Sequence, residues 1–200
     1  MRHFGIFLDA DGVLWPEIGQ SSLLSGEEFA IDRLTSLKKT LMPNKNYFIS
    51  VVTNQTLAAR GVLDFTDFKS AVDSLFHKLI KLELINAFRV CFHHPNAKYL
   101  PLREMNCECR KPNAGMILDI LSTYGIKPYD SLMIGDRITD ISAAEKARLT
   151  RGIIIYNEEM FTMNQGKKGD SVVEACLEFE VARDLEEAGT LINKRFSYHD

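Results

Sequence analysis

The stretch F-G-I-F-L-D-A-D-G, from Phe4 to Gly12, constrains this chain more than any other. Phe4, Ile6, Phe7 and Leu8 form an apolar run with little alternation. A strand of that kind needs cover on both faces, as in the middle of a parallel sheet. Acidic residues follow at once. Asp9 and Asp11 stand where such a strand should end, and open α/β sheets bind their ligands beyond the carboxyl ends of the strands. Two close carboxylates suit a hard cation such as Mg²⁺, which takes oxygen ligands. Asp11-Gly12 is equally a turn sequence whose carboxylates face water, so the stretch alone leaves both readings open.

With 200 residues and 46% hydrophobic content, the chain has the length for one globular domain with a sizeable core, expected to span 1–200. The net charge of −3 offers no basic field for a polyanion, so no nucleic-acid partner is expected. The first apolar run is short and ends in acid, unlike a signal peptide or a membrane span. The expectation is a cytoplasmic monomer without membrane association. In a reducing compartment, clustered cysteines hold metal more readily than they pair as disulfides.

The rest of the chain alternates strands with helices. Trp15 to Leu24 reads as a loop, and Ser25 with Glu28 has the spacing of a capping box opening a helix. That helix carries the stripe Ala30, Ile31, Leu34, Leu37 and Leu41, and Pro43-Asn44 ends it. A second strand, Tyr47 to Val52, runs into Thr53-Asn54-Gln55, followed by a helix with the stripe Phe65, Phe68, Val72, Leu75, Phe76, Leu79 and Ile80. A third strand, Phe88 to Phe92, opens into a polar excursion from His93 to Pro112. Helix resumes at Ala114 and stops near Gly125. Ser131 to Ile134 is a fourth strand, Gly135-Asp136 leads into a helix through Ala147, and Gly152 to Tyr156 is a fifth strand. Asn157 to Asp170 reads as a mobile loop, and Asp184 to Ile192 as a closing helix. The pattern predicts an α/β fold, a doubly wound parallel sheet with helices on both faces and no large cap domain.

Consecutive strand ends then carry polar clusters: Asp9/Asp11, Thr53/Asn54, the excursion with Arg110/Lys111, and Asp136/Asp140. Phosphoryl transfer needs a nucleophile, a metal, donors for the phosphate oxygens and a cation against growing charge. Each role has a candidate here. Thr53, Asn54 and Asp136 are also acceptable helix caps, and Lys111 an acceptable solvated lysine. Within the excursion, Cys91-x-His93 and Cys107-x-Cys109 supply the four N/S ligands that tetrahedral Zn²⁺ takes, with His94 an alternative to His93. The plainer reading of these residues is buried thiols and surface histidines, and for the distant Cys176 a reduced thiol.

D-A-D-G, T-N-Q, C-x-C-R-K-P and G-D-R-x-x-D, in this order, resemble the haloacid dehalogenase (HAD) superfamily of aspartate-based phosphatases. C-F-H-H-P and C-E-C-R-K-P are similar to its zinc-containing branch, with histidinol phosphatase and D-glycero-D-manno-heptose 1,7-bisphosphate phosphatase. The resemblance runs from Phe4 to about Tyr156. It implies that Asp9 attacks phosphorus, while Asp11 protonates the leaving oxygen and later activates water. It implies Mg²⁺ held by Asp9, the Asp11 backbone carbonyl and Asp136. Thr53 and Asn54 would hold the phosphoryl oxygens, Lys111 would offset their charge, Asp140 would help to orient the basic or metal-bound groups and Arg110 would contact substrate. Zn²⁺ on Cys91, His93, Cys107 and Cys109 would be structural.

The chain departs from the pattern at Val13, where the superfamily usually has threonine, and in the short segment from Val13 to Leu24. A small phosphorylated metabolite is the expected substrate, with a heptose 1,7-bisphosphate or similar sugar phosphate ahead of histidinol phosphate. A polynucleotide phosphatase or a catalytically silent binding module are the other readings. Scarce basic clusters oppose the first, and the intact Asp9, Asp11, Lys111 and Asp136 oppose the second.

Overall fold

The computed structural model describes residues 3–16, 22–156 and 177–196. Its strands are β1 (Phe4–Leu8), β2 (Tyr47–Asn54), β3 (Ala87–Cys91), β4 (Ser131–Gly135), β5 (Arg151–Ile155) and β6 (Glu178–Ala182). Every adjacent pair is parallel, and the order β3-β2-β1-β4-β5-β6 puts β1 between β2 and β4. The chain therefore reverses its direction of winding at β1, where ligand crevices open in such sheets.

Five helices cover the sheet among the described residues: α1 (Ser22–Thr40), α2 (Phe65–Lys81), α3 (Gly115–Tyr124), α4 (Ile138–Lys146) and α5 (Leu185–Phe196). Alternation along the strands divides the core in two. Ile6, Leu8, Ile49, Val51 and Ile134 pack with α1, α2 and α5, whereas Phe7, Val52, Met133 and Ile154 pack with α3 and α4. Burying one such side chain is worth about 1.5–3 kcal/mol, which explains the predicted stripes: Leu34, Leu37, Val72, Phe76 and Leu79 are all fully buried. Asp64 caps α2 by accepting from the Thr66 and Asp67 amides, and Gly125 at φ 64° ends α3.

Several boundaries differ from the sequence reading. α1 begins at Ser22, so the expected loop to Leu24 is shorter and Ser25 lies inside the helix instead of capping it. β2 continues through Thr53 and Asn54, which makes them strand residues and not helix caps. β3 and β5 each start and stop one residue earlier than expected, at Ala87–Cys91 and Arg151–Ile155. β6 was not expected: its E-F-E-V-A sequence lacks the continuous apolar run of a buried parallel strand, because it lies at the sheet edge with Phe179 and Val181 about half exposed. Asn157 to Asp170, Cys176 and the part of the first loop at 17–21 lie outside the described residues. No cap domain is present among the described residues, and no helix there is long and apolar enough to cross a membrane.

Candidate active site

Asp9 follows β1 directly and its amide continues the ladder, donating to the Ile134 carbonyl at 2.9 Å. The chain then turns tightly, with Leu14 N donating to the Ala10 carbonyl and Gly12 N to the Trp15 carbonyl, both at 2.8 Å. Gly12 has φ +78°, and a Cβ there would collide with the Asp136 carboxylate. Glycine is required twice over, by the left-handed backbone and by the approach of Asp136 from the end of β4.

Lys111 comes from the excursion after β3 and is buried, with its Nζ 2.7 Å from Asp9 Oδ1 and 2.7 Å from Asp140 Oδ1. A buried ammonium persists only when paired. Burial pulls the Lys111 pKa down, but Asp140 and Asp9 together outweigh it and hold the amine protonated. Burial likewise pushes Asp140 up to about 6, against the pull of Lys111. Asp140 Oδ2 accepts the Arg137 amide at 3.0 Å at the start of α4. Asp9 Oδ1 also accepts the Ala10 amide at 2.7 Å.

Thr53 and Asn54 end β2 beside this cluster. Asn54 donates from Nδ2 to the Lys111 carbonyl at 3.0 Å and accepts the Lys111 amide on Oδ1 at 3.1 Å. Its side-chain nitrogen and oxygen thus both engage the lysine backbone. Thr53 is fully buried, and its Oγ1 accepts from Gln55 Nε2 at 3.1 Å. The same Gln55 nitrogen donates to Asp11 Oδ2 at 3.0 Å, and Trp15 Nε1 donates to Asp11 Oδ1 at 2.7 Å. Gln55 and Trp15 were not singled out as site residues in the sequence, although Gln55 completes T-N-Q.

Carboxylate oxygens of Asp9, Asp136 and Asp140 lie within 4.8 Å of one another, and all three residues are buried. Lys111 is the buried cation among them, and the half-exposed Arg137 guanidinium lies 3.9 Å from Asp136 Oδ1. Three buried carboxylates against one buried ammonium leave an excess of negative charge that a divalent cation would neutralise. Both oxygens of Asp140 are engaged by Lys111 and the Arg137 amide, so Asp9 and Asp136 are the better-placed donors. These residues fit Mg²⁺.

The four residues of the cysteine-rich excursion converge as well. Sγ of Cys107 lies 3.7 Å from Cys91 and 3.1 Å from Cys109, and His93 Nδ1 lies 3.9, 3.2 and 3.5 Å from Cys91, Cys107 and Cys109. Four ligands at about 2.0–2.3 Å from a tetrahedral centre stand about 3.3–3.8 Å apart, so this group fits Zn²⁺. Hydrogen bonds from Cys91, Cys107 and His93 pull the Cys109 thiol down to about 5, the thiolate form that a metal binds, while its bond to Cys109 and burial push Cys91 up. His94 is turned elsewhere, its Nδ1 accepting the Asn96 amide at 3.1 Å. Arg110 Nη1 donates to the His93 carbonyl at 3.1 Å, which couples the cluster to the loop that carries Lys111.

A family model described as HAD-hydrolase-like matches residues 108–154, from the cysteine-rich excursion to β5. The chain is 30% identical over 151 residues to a D-glycero-alpha-D-manno-heptose-1,7-bisphosphate 7-phosphatase of Photorhabdus laumondii, covering 74% of this chain and 80% of that protein. It is 27% identical over 175 residues to a D-glycero-beta-D-manno-heptose-1,7-bisphosphate 7-phosphatase of Haemophilus ducreyi, covering 86% and 94%. The crystal structure of a D,D-heptose 1,7-bisphosphate phosphatase from B. bronchiseptica, complexed with magnesium and phosphate, matches with a TM-score of 0.68 at 22% identity, covering 98% of this chain and 99% of that one. Sequence identity over most of a relative's length joins here with the same sheet architecture, and the chain belongs to the haloacid dehalogenase-like family of phosphatases, as a phosphoric monoester hydrolase.

Proposed function

We propose that this phosphatase removes one phosphate from a D-glycero-D-manno-heptose 1,7-bisphosphate or a closely similar sugar phosphate, through a phosphoaspartate at Asp9. The observation that carries the reaction is the Lys111 ammonium at 2.7 Å from Asp9 Oδ1, with Asp11 on the same turn. Lys111 and the Ala10 amide hold Oδ1, which leaves Oδ2 to attack phosphorus. As that bond forms, the bond from phosphorus to the sugar oxygen breaks and Asp11 gives its proton to the leaving oxygen. Water then attacks the phosphoaspartate at phosphorus while Asp11 takes its proton, releasing phosphate and restoring Asp9. Lys111 offsets charge on the phosphoryl oxygens, Thr53 faces them from β2, and Asn54 acts through the Lys111 backbone.

Mg²⁺, held by Asp9, the Asp11 carbonyl and Asp136, would supply positive charge to the phosphoryl group. One Zn²⁺ on Cys91, His93, Cys107 and Cys109 would brace the excursion, since a closed four-ligand site has no position for a reacting water.

Two features support a bisphosphate. The first is kinship with the heptose enzymes. The second is the Arg110 guanidinium, which stands on the loop that carries Lys111 with its Nη1 donating to the His93 carbonyl at 3.1 Å. Arg110 suits a second phosphate better than the ammonium of histidinol phosphate. Relatives are named for both anomers, so the proposal covers either. The test is phosphate release from heptose 1,7-bisphosphate, histidinol phosphate and nucleotides, with and without a chelator. Faster turnover of histidinol phosphate in direct competition overturns the substrate, and undiminished activity of Asp9→Asn overturns the mechanism.

A further inference from the structure

Asp11 leaves the turn after β1 with each carboxylate oxygen held by an uncharged donor. Trp15 Nε1 donates to Oδ1 at 2.7 Å, and Gln55 Nε2 donates to Oδ2 at 3.0 Å. Trp15 is wholly buried and Gln55 nearly so. With Asp11 ionised, the Gln55 amide turns its nitrogen to Oδ2, because its oxygen there would face a carboxylate. Its bond to Thr53 Oγ1 at 3.1 Å fixes the same nitrogen from a second side.

The indole is set from three directions. The turn returns the Trp15 carbonyl to the Gly12 amide at 2.8 Å. Phe76 of α2 packs against the ring, with centroids 6.2 Å apart at 32°. From α1, Gly26 presents bare backbone to the ring: a Cβ there would stand 2.9 Å from Trp15 Cδ2. A glycine inside a helix costs about 1 kcal/mol relative to alanine, and here it admits the indole. Val13, buried on the same turn, carries no side-chain donor, so the donor that the turn itself supplies is Trp15.

We infer that Trp15 and Gln55 are positioning residues that aim Asp11 at the leaving oxygen and then at water. This rests on the reading of Asp11 as acid and base. A bond accepted on each oxygen from a donor held in the core fixes the plane of the carboxyl group. Being neutral, both donors orient Asp11 without placing a competing cation beside the phosphate.

The experiment compares two esters. Trp15→Phe keeps a ring and removes the N–H; Gln55→Met keeps length and removes the donor. kcat/KM reports the steps through formation of the phosphoaspartate, in which the leaving oxygen is protonated. A sugar alkoxide needs that proton, whereas p-nitrophenolate leaves without it. Each variant should lose more kcat/KM on a sugar phosphate than on p-nitrophenyl phosphate, by about tenfold, the worth of a hydrogen bond to a charged group. Equal losses on both esters, with unchanged circular dichroism, would make the two residues packing elements and overturn the inference. Should Trp15→Phe fail to fold, Gln55→Met decides the matter alone. Absence of turnover of either ester by the unaltered enzyme would instead overturn the reading of the site itself.

Discussion

Asn54 at the end of β2 clasps the backbone of Lys111, giving a hydrogen bond to its carbonyl at 3.0 Å and taking one from its amide at 3.1 Å. The lysine that reaches Asp9 is therefore located by a side chain from a neighbouring strand. Its own loop does not locate it alone.

Removing the clasp should cost rate more than affinity. Asn54→Ala is expected to lower kcat by about tenfold or more, with a small change in KM, and to destabilise the fold by about 1–3 kcal/mol. Steady-state kinetics and urea unfolding check both. A rise in KM with kcat intact would place Asn54 on the substrate phosphate after all.

Lys111→Met strands Asp9 and Asp140 as buried carboxylates without their shared partner. Breaking such a group by one member costs about 3–5 kcal/mol. Adding Asp140→Asn to the same chain removes one of the two stranded charges, so part of the stability should return while turnover stays absent. Denaturant midpoints of the single and double variants, alongside their activity, separate the structural role of Lys111 from its chemical one.

Gly12→Ala forces an L side chain into φ +78° and sets its Cβ against the Asp136 carboxylate. The backbone strain alone is about 1–2 kcal/mol. Displacing Asp136 should raise the Mg²⁺ concentration for half-maximal activity by about tenfold. A Mg²⁺ titration of activity reads this directly, and an unchanged midpoint would remove Asp136 from the proposed cation site.

Purified protein should carry about one zinc per chain by elemental analysis. The domain has its own core, so stripping the metal should loosen the loop instead of unfolding the chain. Hydrogen exchange is expected to rise across 107–111 while β1 and β4 stay protected, and activity should fall with it. Protein lacking stoichiometric zinc after metal-free purification would contradict the assignment.

The parallel sheet and the convergence of Asp9, Asp11, Thr53 and Asp136 were legible in the sequence because both depend on local signals. A strand buried on both faces must be a continuous apolar run, and the polar residue that breaks the run marks its carboxyl end. The spacing Cys91-x-His93 and Cys107-x-Cys109 was legible for a similar reason: ligand pairs two apart need only one short stretch of chain each. β6 escaped, since an edge strand need not be apolar. The start of α1 escaped too, with Ser25 imitating a cap from inside the helix.

What tertiary structure alone decided is which partner each polar group takes. Lys111 lies between Asp9 and Asp140, Asn54 holds the Lys111 backbone, and Trp15, on sequence grounds the start of a loop, carries its N–H to Asp11. A hydrogen bond is made or lost over a few tenths of an ångström and a few tens of degrees. Residue order sets neither; both follow from how β1, β2, β4 and the excursion pack around one another, with Gly12 and Gly26 leaving the space that Asp136 and the indole fill.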